Sequence, residues 1–332
     1  MAQQWIRAGS ITAAGVNIVM GGNEDLRVRF RIESASSQTP NKAEVTITNL
    51  SAPTANAILG AGEGKTLQVD AGYRSNAGTI FIGNIVQVRR GRESPTDTML
   101  IVNAAGGDQA YNHAVVNKAL PKGSTAKDHF DEFAKSMGQY GVKPGHEPDW
   151  FSNFKYPRGV TFFGMARDYL RTLAQSHQCT WSIQNNTLDM VPLKESLPGG
   201  AVVLNAQTGM IGLPIQTEQA IIVKALINPQ IKINGNIKLD NESIQLAAFA
   251  TPLTDPNAEV SRPVMPNLPK DGLYKVMHAI WEGDSRGNDW YVTMTCLAAN
   301  GPAGPLSSVE QEFGAFNAGN SGGYVPYQEG GG

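Results

Sequence analysis

The chain has 332 residues, of which 41% are apolar and only 17% charged, with a formal net charge of -2. That length allows two or three domains with sizeable cores. The charge balance argues against a nucleic-acid binder, which needs a basic footprint. No run reaches the 18 or more apolar residues of a membrane-spanning helix, and the start lacks the basic and apolar segments of a signal peptide. Assembly in the cytoplasm is therefore expected. With 36 Gly and 19 Pro the composition favours sheet and turn over helical bundles. Few charges also suit a surface that is covered in an assembly.

The first hundred residues read as short strands. Leu26, Val28, Phe30 and Ile32 alternate with Arg27, Arg29 and Arg31, the period of a half-buried strand. Segments around 43–47, 67–73, 80–88 and 99–102 follow the same rule, with glycine- and asparagine-rich turns between them. One short helix interrupts them over 54–59, capped by Ser51 and opened by Pro53. Such a series predicts a small barrel or sandwich. Near Ala110 the pattern changes. Ser124 is read as the cap of a helix predicted from Thr125 to Met137, with Phe130, Phe133, Ala134 and Met137 on one face. Thr161 is read as the cap of a second helix running to His177, with Phe162, Ala166, Tyr169, Leu170 and Leu173 facing inward. A hairpin turning at Asn185-Asn186 follows. Strands return over 202–204, 221–226, 230–233 and 237–239. A long hairpin, 272–281 with 290–297, closes the series around a polar tip. Residues 247–269 read as a surface loop. The segment after about 300 is too rich in Gly, Pro and Ser to build its own core, and its rings Phe313, Phe316, Tyr324 and Tyr327 are expected to anchor on a neighbour.

No catalytic motif stands in the chain, and the five histidines lack metal-ligand spacing. No catalytic, cofactor or metal residue is assigned. His129, beside Asp128 and Glu132, reads as part of a solvated helix face, and His278 as a satisfied histidine within a strand. Asp284, Asn288 and Asp289 do not match a calcium loop and read as a hairpin tip. Glu147 and Asp149 are the best available pair for a glycosidase, whose two carboxyl groups must flank a cleft. Arg89, Arg90 and Arg92 read as a solvated hairpin end. Cys179 and Cys296 read as buried free thiols.

The run Asn41, Ala43, Val45, Ile47, Asn49, Leu50 and Ser51 resembles a segment of phage tail baseplate hub proteins. So do Val69 to Tyr73, Gly78 to Ile85, Met99 to Asp108, Gly209 to Pro214, Leu226 to Pro229 and the final hairpin. This ordered set spans about residues 25–297. The resemblance implies a mainly β fold with an α+β insert: a tail-tube-like β-barrel over 1–109, the insert over 110–198, a second barrel over 199–299 and a Gly-rich extension over 300–332. It further implies a virion protein without cofactor or enzymatic activity. Three copies would form a pseudo-hexameric ring between tail tube protein and central spike protein, through which DNA passes without tight binding. Other baseplate proteins are expected to meet the insert at Phe151, Phe154 and Tyr156; the alternative reading is that these rings cover the insert's own core. A tail-associated cell-wall hydrolase, and the hub of a non-contractile tail or of a contractile bacteriocin, are the alternatives.

Overall fold

The structure, a computed structural model, describes residues 6–20, 25–217, 220–240 and 272–299, and the backbone of 245–246. The first segment is all antiparallel. β1 (Arg7–Ala13) turns through Ala14 and Gly15, both at positive φ, into β2 (Val16–Met20). Then come β3 (Val28–Ala35), β4 (Lys42–Thr48), β5 (Thr66–Tyr73), β6 (Asn76–Arg92) and β7 (Thr98–Ala105). Between β4 and β5 lies α1 (Ala52–Ala61), where the Ser51 hydroxyl accepts from the Thr54 N–H at 3.4 Å. Alternation sends Val28, Phe30 and Ile32 into the core and Arg29 and Arg31 outward.

A separate apolar core is built from residues between Ala110 and Met190. It carries α2 (Asp108–His113), β8 (Val115–Leu120), α3 (Ala126–Gly138), β9 (Lys143–Pro144), a 3-10 turn (Asp149–Ser152), β10 (Val160–Met165), α4 (Ala166–Ser176), β11 (Cys179–Gln184) and β12 (Thr187–Pro192). Thr125, not Ser124, caps α3 and closes a capping box with Asp128. The second helix begins at Ala166, four residues later than a cap at Thr161 predicts. Thr161 sits in β10, opposite Ala119 of β8. The β-branched and aromatic run Val160 to Phe163 prefers the ladder, and Phe162 reaches the same core from the strand. The β11–β12 hairpin turns at Asn185-Asn186 as expected, both at positive φ.

The last segment holds β13 (Val202–Val203), β14 (Met210–Gln216), β15 (Ile221–Leu226), β16 (Asn236–Lys238), β17 (Gln245–Leu246), β18 (Leu273–Asp284) and β19 (Trp290–Ala298). The strand expected over 230–233 is irregular instead. Ile231 and Ile233 are buried, but Pro229 and a positive φ at Asn234 fold the backbone into turns. Burial, not extension, spaces these two isoleucines. The predicted loop 247–269 and the rings after 300 lie outside the described residues.

β3 and β18 pair along seven positions, from Ala35 opposite His278 to Arg29 opposite Asp284. The strands of both segments thus belong to one continuous sheet of 14, and one apolar core runs through them. Within it a four-strand order recurs. β3-β4-β7-β6 and β14-β15-β19-β18 are both antiparallel throughout. Their last strands bulge at matching places, between Ile85 and Gln87 and between Val276 and His278.

Candidate functional site

The surfaces of interest are the seam between the two sheet segments, the insert's aromatic loop and the strand edges. At the seam, the β18–β19 tip is gripped by arginines. Arg27 ion-pairs with Asp284 at 2.6 Å, and Arg7 donates to the backbone carbonyls of Asp284 and Asn288 at 2.8 and 3.0 Å. The Arg7 guanidinium also lies over the Trp290 ring, 5.5 Å from its centre. Burial opposes ionisation of Asp284. The Arg27 guanidinium and the Arg286 N–H outweigh it and hold the carboxyl below its ordinary range. A carboxylate already held by guanidinium suits a plain hairpin tip, as expected. Arg31 ion-pairs with Glu282 across the β3–β18 junction, and Glu33 meets His278 Nε2 at 3.1 Å.

In the insert, α3, the 147–156 loop and α4 bring together a ring cluster. His129 is buried, not solvated as the sequence suggested. It stacks on Tyr156 with ring centres 4.2 Å apart and shares a hydrogen bond with Ser124 at 3.0 Å. The Tyr156 hydroxyl meets His177 Nε2 at 2.9 Å, and Phe154 stands edge-on to His177 at 4.7 Å. Burial lowers the pKa of both imidazoles, and the Asp128 charge only partly offsets this at His129. Phe151 is 0% exposed; its ring packs the insert's own core and presents no surface to a partner. Tyr156 is half-buried and Phe154 is 43% exposed. The sequence reading missed the exposed Trp150 beside them and Phe163, which is 75% exposed. Both stand in aromatic-rich stretches, the only signal available. Glu147 is tied to Lys127.

Insert and sheet are joined at a buried lysine. Lys275 of β18 donates to the carbonyls of Glu195 at 2.6 Å and Pro192 at 3.4 Å. Its burial brings the pKa down to about 8. Burial pushes the Cys179 thiol up to about 11 and Cys296 higher still, so neither is a ready nucleophile. No group of His, Cys, Asp and Glu able to hold a metal occurs among the described residues. No described helix is long and apolar enough to cross a membrane.

The fold is similar to that of phage tail proteins. A 43 kDa tail protein of prophage MuSo2 from Shewanella oneidensis matches with a TM-score of 0.57 at 8% identity, over 89% of this chain and 99% of its own. A tail protein from Neisseria meningitidis matches at 0.56 and 9%, over 91% and 100%. The E. coli c3393 protein, a type VI secretion component described as similar to T4 tail proteins gp27 and gp5, matches at 0.52 and 8%, over 86% and 78%. No curated protein matches the sequence. The fold is thus of the phage tail protein type.

The sequence profile of the baseplate hub gp41 family matches residues 11–244. The chain belongs to that family, and its role is structural, in the hub of a phage tail.

Proposed function

We propose that three copies of this chain form a pseudo-hexameric ring that joins the tail tube to the central spike and surrounds the DNA path. The chain divides into a tube-like barrel over 1–109, an insert over 110–198, a second tube-like barrel over 199–299 and an extension over 300–332. The observation that carries this reading is the recurring four-strand order within one sheet, in a chain of the baseplate hub family. Two equivalent units per chain let three chains present six positions to a six-fold tube and three to a trimeric spike. The near-neutral charge suits a bore that DNA must pass without being gripped.

The insert meets other baseplate proteins through Phe154 and the exposed face of Tyr156, and the 300–332 extension anchors on tube or spike through Phe313, Phe316, Tyr324 and Tyr327. The hub works by holding parts together and catalyses nothing; the Lys127 partner of Glu147 favours this over a hydrolase. The test is the mass of the purified full chain by native mass spectrometry. Three times 35.5 kDa is expected. A monomer that clears peptidoglycan, and stops doing so as Glu147→Gln, would instead establish the hydrolase.

A further inference from the structure

The β8–β10 ribbon has two unlike faces. Val116 and Phe162 belong to the insert's core, and both are buried. Alternation turns Val115, Asn117 and Ala119 outward, together with their opposites Met165, Phe163 and Thr161. That outer face carries no charge. Phe163 and Val115 are its exposed large side chains, and as diagonal neighbours across the ladder they form one patch. The same two segments run on side by side past the ribbon's end. The Gly123 N–H donates to the Tyr156 carbonyl and the Tyr156 N–H to the Ser124 carbonyl, each at 2.9 Å, and Thr125 bridges to Lys155. Lys122, Lys155 and Arg158 thus stand on neighbouring backbone beyond the patch, all three exposed. None of them forms an ion pair among the described residues. Residues 115–123 and 153–165 together hold four basic residues and no acidic one. A bare ring beside unpaired cations fits an occupant that is acidic and aromatic.

The chain contains such a segment. Residues 300–332 lie outside the described residues; their sequence carries Glu310, Glu312 and Glu329 and no Lys or Arg. Within 310–316 two acids, Glu310 and Glu312, stand directly before two rings, Phe313 and Phe316. The place where the described chain stops favours the same occupant. Ala298 pairs with Tyr274, and the Ala299 N–H donates to the Leu273 carbonyl. Next to Tyr274, Lys275 is tied to the carbonyls of Pro192 and Glu195 at the end of the insert. Residues 300–309 span about 33 Å when extended, and a domain of about 80 residues is about 30 Å across. We infer that residues 310–316 of each chain dock on the β8–β10 face of its own insert, with the rings against Phe163 and Val115 and the carboxylates toward Lys122, Lys155 and Arg158. A tether this short holds the segment near its own insert at an effective concentration on the order of millimolar, above that of any other copy. This goes beyond the reading above: it concerns the chain before it meets tube or spike, and anchoring on either then draws the segment off the insert.

The test is hydrogen exchange of the purified full chain, read by mass spectrometry on peptides that cover 310–316. Exchange there is expected to be at least tenfold slower than in an unstructured peptide of the same sequence, at every chain concentration. The triple variant Lys122→Glu, Lys155→Glu, Arg158→Glu is expected to bring the segment to the free rate, and so is Phe163→Asp. All four positions are exposed, and unchanged exchange across α3 and α4 checks that the insert stays folded. Adding Glu310→Lys and Glu312→Lys to the triple variant is expected to restore the slowing. Free exchange in the parent chain, or slowing that neither variant removes, overturns the docking. Slowing that appears only at concentrations where chains associate gives the segment to a neighbouring copy and overturns it as well. So does free exchange together with Phe163-dependent binding to phosphatidylglycerol vesicles, which would make this face a lipid contact. The three-chain reading is tested separately, by native mass, and stands or falls without this docking.

Discussion

Burial holds the His129 and His177 imidazoles below their ordinary pKa of 6.5, so the folded insert resists protons that the unfolded chain accepts. A base with a depressed folded value stabilises the fold fully above its unfolded pKa and less as pH falls below it. The insert is expected to lose thermal stability between pH 7 and pH 5, above the carboxylate range, as followed by the fluorescence of Trp150. His129→Phe keeps a ring on Tyr156 and removes one titrating group, so the slope over that window is expected to flatten. At the seam, Asp284→Ala strands Arg27 and removes the acceptor of the Arg286 N–H, while the Arg7 bonds to backbone carbonyls remain. A loss of about 1–2 kcal/mol is expected in denaturant unfolding. An unchanged midpoint would mean that the guanidinium grip contributes nothing net.

At the scale of elements, the insert has its own core, centred on Phe130, Phe133, Leu170 and Leu173. Phe133 stands edge-on to Phe162 at 4.9 Å and stacks with Tyr169 at 5.7 Å. Phe133→Ala is expected to cost the insert about 3–5 kcal/mol. If the insert is a unit by itself, hydrogen exchange will rise across 110–190 and stay low in β3, β4 and β18. A uniform rise would mean that insert and sheet unfold together and would argue against the 110–198 division. The hinge between them is tight at Gly107, whose φ of +64 and distance of 2.8 Å from a Cβ to Ile183 leave only glycine room. Gly107→Val is expected to loosen this junction, seen as raised exchange at α2 and β11.

For the whole molecule, the continuous sheet is a mechanical fact. A pull on one unit passes into the other through seven paired positions of β3 and β18. The proposed joining of tube and spike needs such a path, since shear along a ladder loads many hydrogen bonds together. The low charge predicts weak interaction with duplex DNA. In a gel-shift assay the purified full chain is expected to show no strong, salt-dependent retardation.

Strand alternation, the first helix cap and the hairpin turns were readable in the sequence because they are local. The Leu26 to Ile32 alternation, the Ser51 cap, the Asn185-Asn186 turn and the closing hairpin each depend on neighbours a few residues away, and the ordered motifs were enough to resemble the hub family. Thr161, 230–233 and His129 misled for one reason: apolar spacing reports burial, and burial can be met by a strand, a turn or a stacked ring. What covers a side chain was decided only by tertiary contact. The pairing of β3 with β18 joins residues some 250 positions apart, and no local pattern encodes which edge another strand will fill. So the sequence by itself determined the elements and their class, while the single sheet and its repeat exist only once distant backbone groups have found each other.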